Sequence, residues 1–85
     1  MAYYLYILKS RSAEKFYVGS SEHPQTRLTY HNTFEKGFTS RYRPWEIVFT
    51  KEYSGKSEAQ SAERKVKSWK SSIMIRRLIN NELQI

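Results

Sequence analysis

The chain contains no cysteine and no aspartate. Without thiols there is neither a disulfide framework nor a thiolate metal site, so any bound metal rests on oxygen or imidazole. The carboxylates reduce to Glu14, Glu22, Glu35, Glu46, Glu52, Glu58, Glu63 and Glu82, with His23 and His31 as the imidazoles. Three glycines and two prolines among 85 residues are too few to mark an interdomain linker, and no repeat or low-complexity stretch is present. One domain spanning 1–85 is expected. Its core is small, since a chain of this size buries only roughly 60–65% of its unfolded surface. The longest apolar run, Ala2 to Leu8, is seven residues. A bilayer crossing needs about 20, and the run lacks the flank and cleavage site of a signal peptide. A cytoplasmic protein with no membrane partner is expected.

Basic and aromatic residues, by contrast, are plentiful. Fifteen lysines and arginines face eight acids, for a net charge of +7. Arg64, Lys65, Lys67, Lys70, Arg76 and Arg77 lie between Glu63 and Glu82 with no acid among them. A polyanion is the natural partner, although a basic helix face that merely keeps a protein solvated gives the same pattern. Seven Tyr, four Phe and two Trp supply large buried areas for a short chain.

Tyr3 to Leu8 is apolar on both alternating sets, as in a strand covered on both faces. Phe16 to Gly19 forms a second strand, and the polar link between the two is too short for a crossover helix, so they form an antiparallel hairpin. Pro24 pre-sets the first turn of a helix reaching His31 or Asn32, with Leu28 inward and His23 as an unusual N-cap. Residues 33–43 form a connection, Pro44 is best tolerated at the first position of a strand, and Trp45 to Tyr53 reads as the third strand. Ser57 with Gln60 matches a capping box, followed by Ala59, Ala62, Val66, Trp69 and Ile73 at helical spacing. A last helix from Ile73 to about Asn80 buries Ile75, Leu78 and Ile79. The expected order is ββαβαα.

Several residues in this frame can carry chemistry. Strand alternation allows Tyr6 and Tyr17 to stand side by side and puts Gly19 where backbone or ligand can come close. Arg27 and His31 are one turn apart on one helix face; on spacing alone they fit equally a surface arginine and a helix-end histidine favoured by the dipole. Glu63 borders the apolar stripe of the long helix, where a carboxylate needs a basic side chain or a hard cation as partner. A zinc pair of His23 and His31 is excluded, because eight helical residues separate them by roughly 12 Å.

Tyr4-Leu5-Tyr6, then Tyr17-Val18-Gly19-Ser20-Ser21, Pro24, Arg27-Leu28, His31-Asn32, Arg43-Pro44-Trp45 and Ala62-Glu63-Arg64-Lys65 resemble the GIY-YIG endonuclease family, in particular its small stand-alone bacterial members. Tyr4 replaces the first glycine of the family name, Leu5 and Val18 its isoleucines, and Ser20 stands where the excision-repair relatives have lysine. The resemblance implies an α+β fold with a three-stranded antiparallel sheet flanked by helices. It implies Tyr6, Tyr17, Arg27, His31 and Glu63 as catalytic residues, with one divalent ion, Mg²⁺ or Mn²⁺, on Glu63. Tyr6 or His31 would be the general base, the former needing nearby cations to lower its pKa. The implied substrate is DNA, with RNA open, in repair or recombination, and Gly19, Arg41, Arg43, Lys65, Lys67 and Lys70 would contact it. The alternatives are a non-catalytic nucleic-acid-binding module of the same fold, and a scaffold docking protein through Phe34, Phe38 and Tyr42.

Overall fold

A computed structural model describes residues 2–34 and 37–85, so Glu35 of the carboxylate pool lies outside the described residues, as does the Phe38 side chain. The elements are β1 (Tyr3–Ser10), β2 (Phe16–Ser21), α1 (Pro24–Thr33), α2 (Phe38–Arg41), β3 (Trp45–Tyr53), α3 (Lys56–Ser68) and α4 (Ser72–Ile79). The expected order holds, with one four-residue helix, α2, added inside the connection. No helix among the described residues is long and apolar enough to cross a membrane.

The three strands pair antiparallel in the order β2-β1-β3. β1 is central because it alone is apolar on both alternating sets. Leu5 and Ile7 enter one core with Val18, Ala62, Val66 and Leu78, which brings α3 and α4 onto that face. Tyr6 and Leu8 enter a second core with Trp45, against Leu28 of α1 and Tyr42. The apolar side chains of β1 thus have a partner layer on each face of the sheet.

β3 serves both cores through an irregularity. Trp45, Ile47, Phe49 and Tyr53 all have odd numbers, so an unbroken strand would turn all four to one face. Instead Leu8 faces Ile47 while Ile7 faces Phe49, leaving Val48 as the extra residue of a bulge. Trp45 and Ile47 therefore join Tyr6 and Leu8, whereas Phe49 and Tyr53 join Leu5 and Ile7. β3 spans Trp45–Tyr53 as expected, with Pro44 just before it.

Helix ends depart from expectation in ways that local bonding explains. The chain reverses at Ser54 and Gly55, so α3 begins before Ser57; its N-cap is Gly55 and the Ser57–Gln60 capping box does not form. A Ser54 hydroxyl to Glu58 carboxylate bond holds that turn. At the other end Trp69 closes α3 and Lys70 takes a left-handed conformation (φ 50°), which breaks the stripe before Ile73, now 65% exposed. Ser71 then caps α4 by accepting from the Met74 N–H. Of the three residues expected to be buried there, Leu78 is, while Ile75 and Ile79 are half-buried. His23 gives α1 no side-chain bond.

α1 is tied to β3 by a single amide. Asn32 Oδ1 accepts the Trp45 N–H (2.7 Å) and Asn32 Nδ2 donates to the Trp45 carbonyl (3.1 Å). Trp45 is buried, so its backbone N–H has no easy substitute partner in water. Asn32→Ala should lower unfolding free energy by about 1–3 kcal/mol, the cost of stranding buried polar groups, as read from urea denaturation.

Candidate active site

The site is built outward from β1. Tyr6 lies opposite Gly19 in the β1–β2 pairing. A Cβ on Gly19 would sit 2.5 Å from the Tyr6 hydroxyl oxygen and 2.6 Å from Cζ, so the phenol ring lies across the Gly19 backbone. The space that was expected to admit a ligand is taken by Tyr6, and Gly19 is buried. Tyr17, two positions along β2, follows diagonally, with its ring centre 6.4 Å from that of Tyr6.

α1 supplies the next layer. His31 is fully buried, which rules out a solvated helix-end histidine. Its Nε2 is 3.2 Å from the Tyr6 hydroxyl and its Nδ1 is 3.2 Å from Thr39 Oγ1, itself buried. The Tyr17 ring stacks obliquely on the imidazole at 4.4 Å. Arg27, one turn earlier, is near enough for its charge to favour ionisation of the Tyr6 phenol, and its guanidinium lies over the Tyr30 ring, 4.5 Å from the centre. The His31 ring nitrogens thus link the Tyr6 hydroxyl on one side to the Thr39 hydroxyl on the other. Neither Thr39 nor Tyr30 was found in the sequence reading; nothing in their local pattern marks them.

Burial pushes the Tyr6 phenol from its ordinary value of 10 up to about 12, with Tyr17 and Glu63 adding to the rise and Arg27 opposing it. The expectation that cations depress this pKa is thus corrected: one arginine does not offset removal from water. Tyr6 is a neutral phenol at physiological pH.

Glu63 reaches the site from α3, around the edge of β2. Ala62 and Val66 bury their helix face, so the carboxylate between them is only 19% exposed. Ser20 donates to Oε1 at 2.6 Å, and Lys67, one turn on, donates to Oε2 at 2.6 Å. Ser20 therefore matters as a hydrogen-bond donor as well as by the absence of charge. Lys67 also lies over the Tyr17 ring at 6.0 Å. Among the described residues no group of three or more His, Cys, Asp or Glu gathers to hold a metal, which leaves Glu63 as the one site carboxylate.

The five side chains singled out in the sequence, Tyr6, Tyr17, Arg27, His31 and Glu63, are thus together. Of the expected surface cations, Arg41, Lys65, Lys67 and Lys70 are exposed. Arg43 is half-buried, and its Nε donates to the His31 carbonyl at 2.8 Å, securing the end of α1. Tyr42, named above as an exposed docking aromatic, is half-buried against Trp45.

The model of the GIY-YIG catalytic domain matches residues 2–78. The chain belongs to the GIY-YIG family. The match is to a catalytic domain, and Tyr4-Leu5-Tyr6 and Tyr17-Val18-Gly19 lie on the paired strands β1 and β2. A UPF0213 protein of Oceanobacillus iheyensis is 33% identical over 66 residues, covering 76% of each chain. The solution NMR structure of a UPF0213 protein from Bacillus halodurans superposes with a TM-score of 0.59 at 25% identity, covering 94% of this chain and 84% of that one. Structure-specific endonuclease subunit slx1 of Pyrenophora tritici-repentis is 40% identical over 51 residues, 54% of this chain but 14% of the relative. The GIY-YIG chain therefore matches a small part of that longer protein and most of the bacterial ones.

The raised Tyr6 pKa has a measurable consequence. Between pH 10 and 12 the unfolded chain has lost this proton while the folded protein keeps it, so stability is intact below that window and falls as pH rises through it. The phenolate absorbance difference between parent and Tyr6→Phe should appear near pH 12; a difference centred near pH 10 would mean the ring is solvated.

Proposed function

We propose that this chain is a metal-dependent endonuclease that hydrolyses DNA phosphodiester bonds, with residues 1–85 acting as one catalytic domain. The observation that carries the reading is the convergence of a buried phenol–imidazole pair, an arginine and a carboxylate at one sheet edge.

In this reading Arg27 meets the scissile phosphate. It lies near the Tyr6 phenol and over the Tyr30 ring, so its charge is in place before negative charge builds on the phosphate oxygens. A water attacks phosphorus; its proton passes to the Tyr6 oxygen as the Tyr6 proton passes to His31 Nε2, while the bond from phosphorus to the 3′-oxygen breaks. The relay removes the need for a phenolate at rest, which burial opposes. His31, whose Nε2 lies 3.2 Å from the Tyr6 hydroxyl, takes the proton through Tyr6. Tyr17, half-exposed beside both rings, orients the phosphate or the water. Exposed Arg41, Lys65, Lys67 and Lys70 grip the flanking backbone, and Arg43 contributes through the frame it braces.

Glu63 would hold the divalent ion, whose chemistry there is neutralisation of charge on the departing 3′-oxygen. The residue suits that task modestly. Each carboxylate oxygen accepts from one donor, Ser20 or Lys67, with a lone pair to spare, and Mg²⁺ keeps most of its waters when bound by one carboxylate and substrate phosphate. The ion is thus held chiefly with substrate present. The Lys67 contact favours a second reading, a non-catalytic nucleic-acid-binding module in which lysine occupies the carboxylate permanently.

The relatives named as structure-specific endonuclease subunits support the nuclease reading; DNA as substrate, repair or recombination as setting and a cytoplasmic location belong to the proposal. Labelled DNA should be cut in Mg²⁺ or Mn²⁺ and not in EDTA. Arg27→Ala and Glu63→Ala should each slow cleavage by roughly 10²- to 10³-fold with circular dichroism unchanged. Parent-like rates in either variant would sink this assignment, and no cutting by the parent in any metal would favour the binding module.

A further inference from the structure

The two donors on Glu63 differ in character. Ser20 reaches Oε1 from β2 at 2.6 Å and is neutral, whereas Lys67 reaches Oε2 from one turn further along α3 at 2.6 Å and brings a full positive charge. They are also held differently. Ser20 is fixed in the β1–β2 ladder opposite the fully buried Leu5, while the Lys67 ammonium sits half-exposed at the end of a flexible four-carbon stem. A second resting place for that ammonium is close by, over the Tyr17 ring, whose centre is 6.0 Å from Nζ. A hydroxyl can stay on a carboxylate oxygen when an ion binds the same carboxylate, because a lone pair remains open. An ammonium there repels the incoming ion.

We propose that Lys67 is the resident cation of Glu63 and is exchanged for the divalent ion, while Ser20 stays in place and keeps the carboxylate oriented. In the metal-free protein the ammonium balances the charge of a carboxylate that is only 19% exposed. Its hold is weak enough to yield, since an ion pair with one half-exposed partner is worth at most a factor of about five in an equilibrium constant. On leaving, the ammonium has the face of Tyr17 within reach of its stem, beside the position where the phosphate is oriented. The positive charge given up by the carboxylate thus becomes a contact for the DNA backbone, and Lys67 serves the ion site and the substrate in turn. The inference rests on the metal-dependent reading and deepens it by naming what the ion competes with. In the non-catalytic alternative the lysine never leaves.

The test measures Mn²⁺ affinity of the full chain at near-neutral pH without DNA, from the paramagnetic resonance signal of the free ion. Lys67→Met keeps the stem and a good helix former but removes the charge, and should bind Mn²⁺ about three- to fivefold more tightly than the parent. Lys67→Arg keeps the charge and should bind no more tightly than the parent. Ser20→Ala should bind roughly tenfold more weakly, as when a partner that orients a metal ligand is lost, and Ser20→Thr should restore the parent's affinity. Opposite signs for the two donors are the signature of exchange. Affinity unchanged or lowered in Lys67→Met would overturn it, and so would Mn²⁺ binding that survives Glu63→Gln. Cleavage of labelled DNA in Mg²⁺ is scored separately. Opposite signs in a protein that cuts no DNA would uphold the exchange and end the nuclease reading, whereas lowered affinity in both Lys67→Met and Ser20→Ala, in a protein that does cut, would do the reverse.

Discussion

The site depends on one close contact, the Tyr6 ring lying across the backbone of Gly19. A side chain at position 19 would occupy the ring's space. Because β1 is the central strand, the phenol there is shielded by sheet on both sides and by α1 above. From that position it meets the His31 imidazole, which in turn requires α1 to be fixed in register against β3 and Thr39 to sit behind the ring. The small helix α2 has its clearest purpose here, since it carries Thr39. Arg43 fixes the end of α1 from another direction. Three separate tethers thus converge on the placement of one imidazole.

Burial sets the electrostatic character of the pair. A phenol in this setting resists ionisation more strongly than the adjacent guanidinium promotes it. Proton acceptance by Tyr6 is therefore favourable only when its own proton has somewhere to go, and His31 Nε2 is within reach. Glu63 stands on the other side of the β2 edge, where Ser20 and Lys67 hold it and where its charge still reaches the phenol. The neutral phenol thus lies between Arg27 of α1 and the Glu63–Lys67 pair of α3.

Much of this was legible in the sequence because it follows from period. The two-sided apolar run of β1 marked a covered strand, the alternation of Tyr4, Tyr6 and Leu8 gave its faces, and the position of Glu63 between Ala59 and Val66 placed it at a rim. Arg27 and His31 came as a pair from helical spacing, but spacing could not tell a buried imidazole from a solvated one. The bulge at Val48 was hidden because Trp45, Ile47, Phe49 and Tyr53 keep a single parity that only tertiary packing divides. The capping pattern at Ser57 misled because a tight reversal at Ser54 and Gly55 started the helix earlier. Thr39, Tyr30 and Arg43 act through partners distant in sequence or through ring geometry, for which a linear pattern has no signal.

What unites these features is the hydroxyl at position 6, which in the proposed reaction passes a proton inward. Tyr6→Phe keeps the ring on Gly19 and removes only that hydroxyl, so the fold is retained while the relay is cut. Single-turnover cleavage of labelled DNA in Mg²⁺ by this variant should fall by at least roughly 10²-fold, the lower bound for loss of a positioned proton acceptor. Cleavage at the parent's rate would contradict the account at its centre.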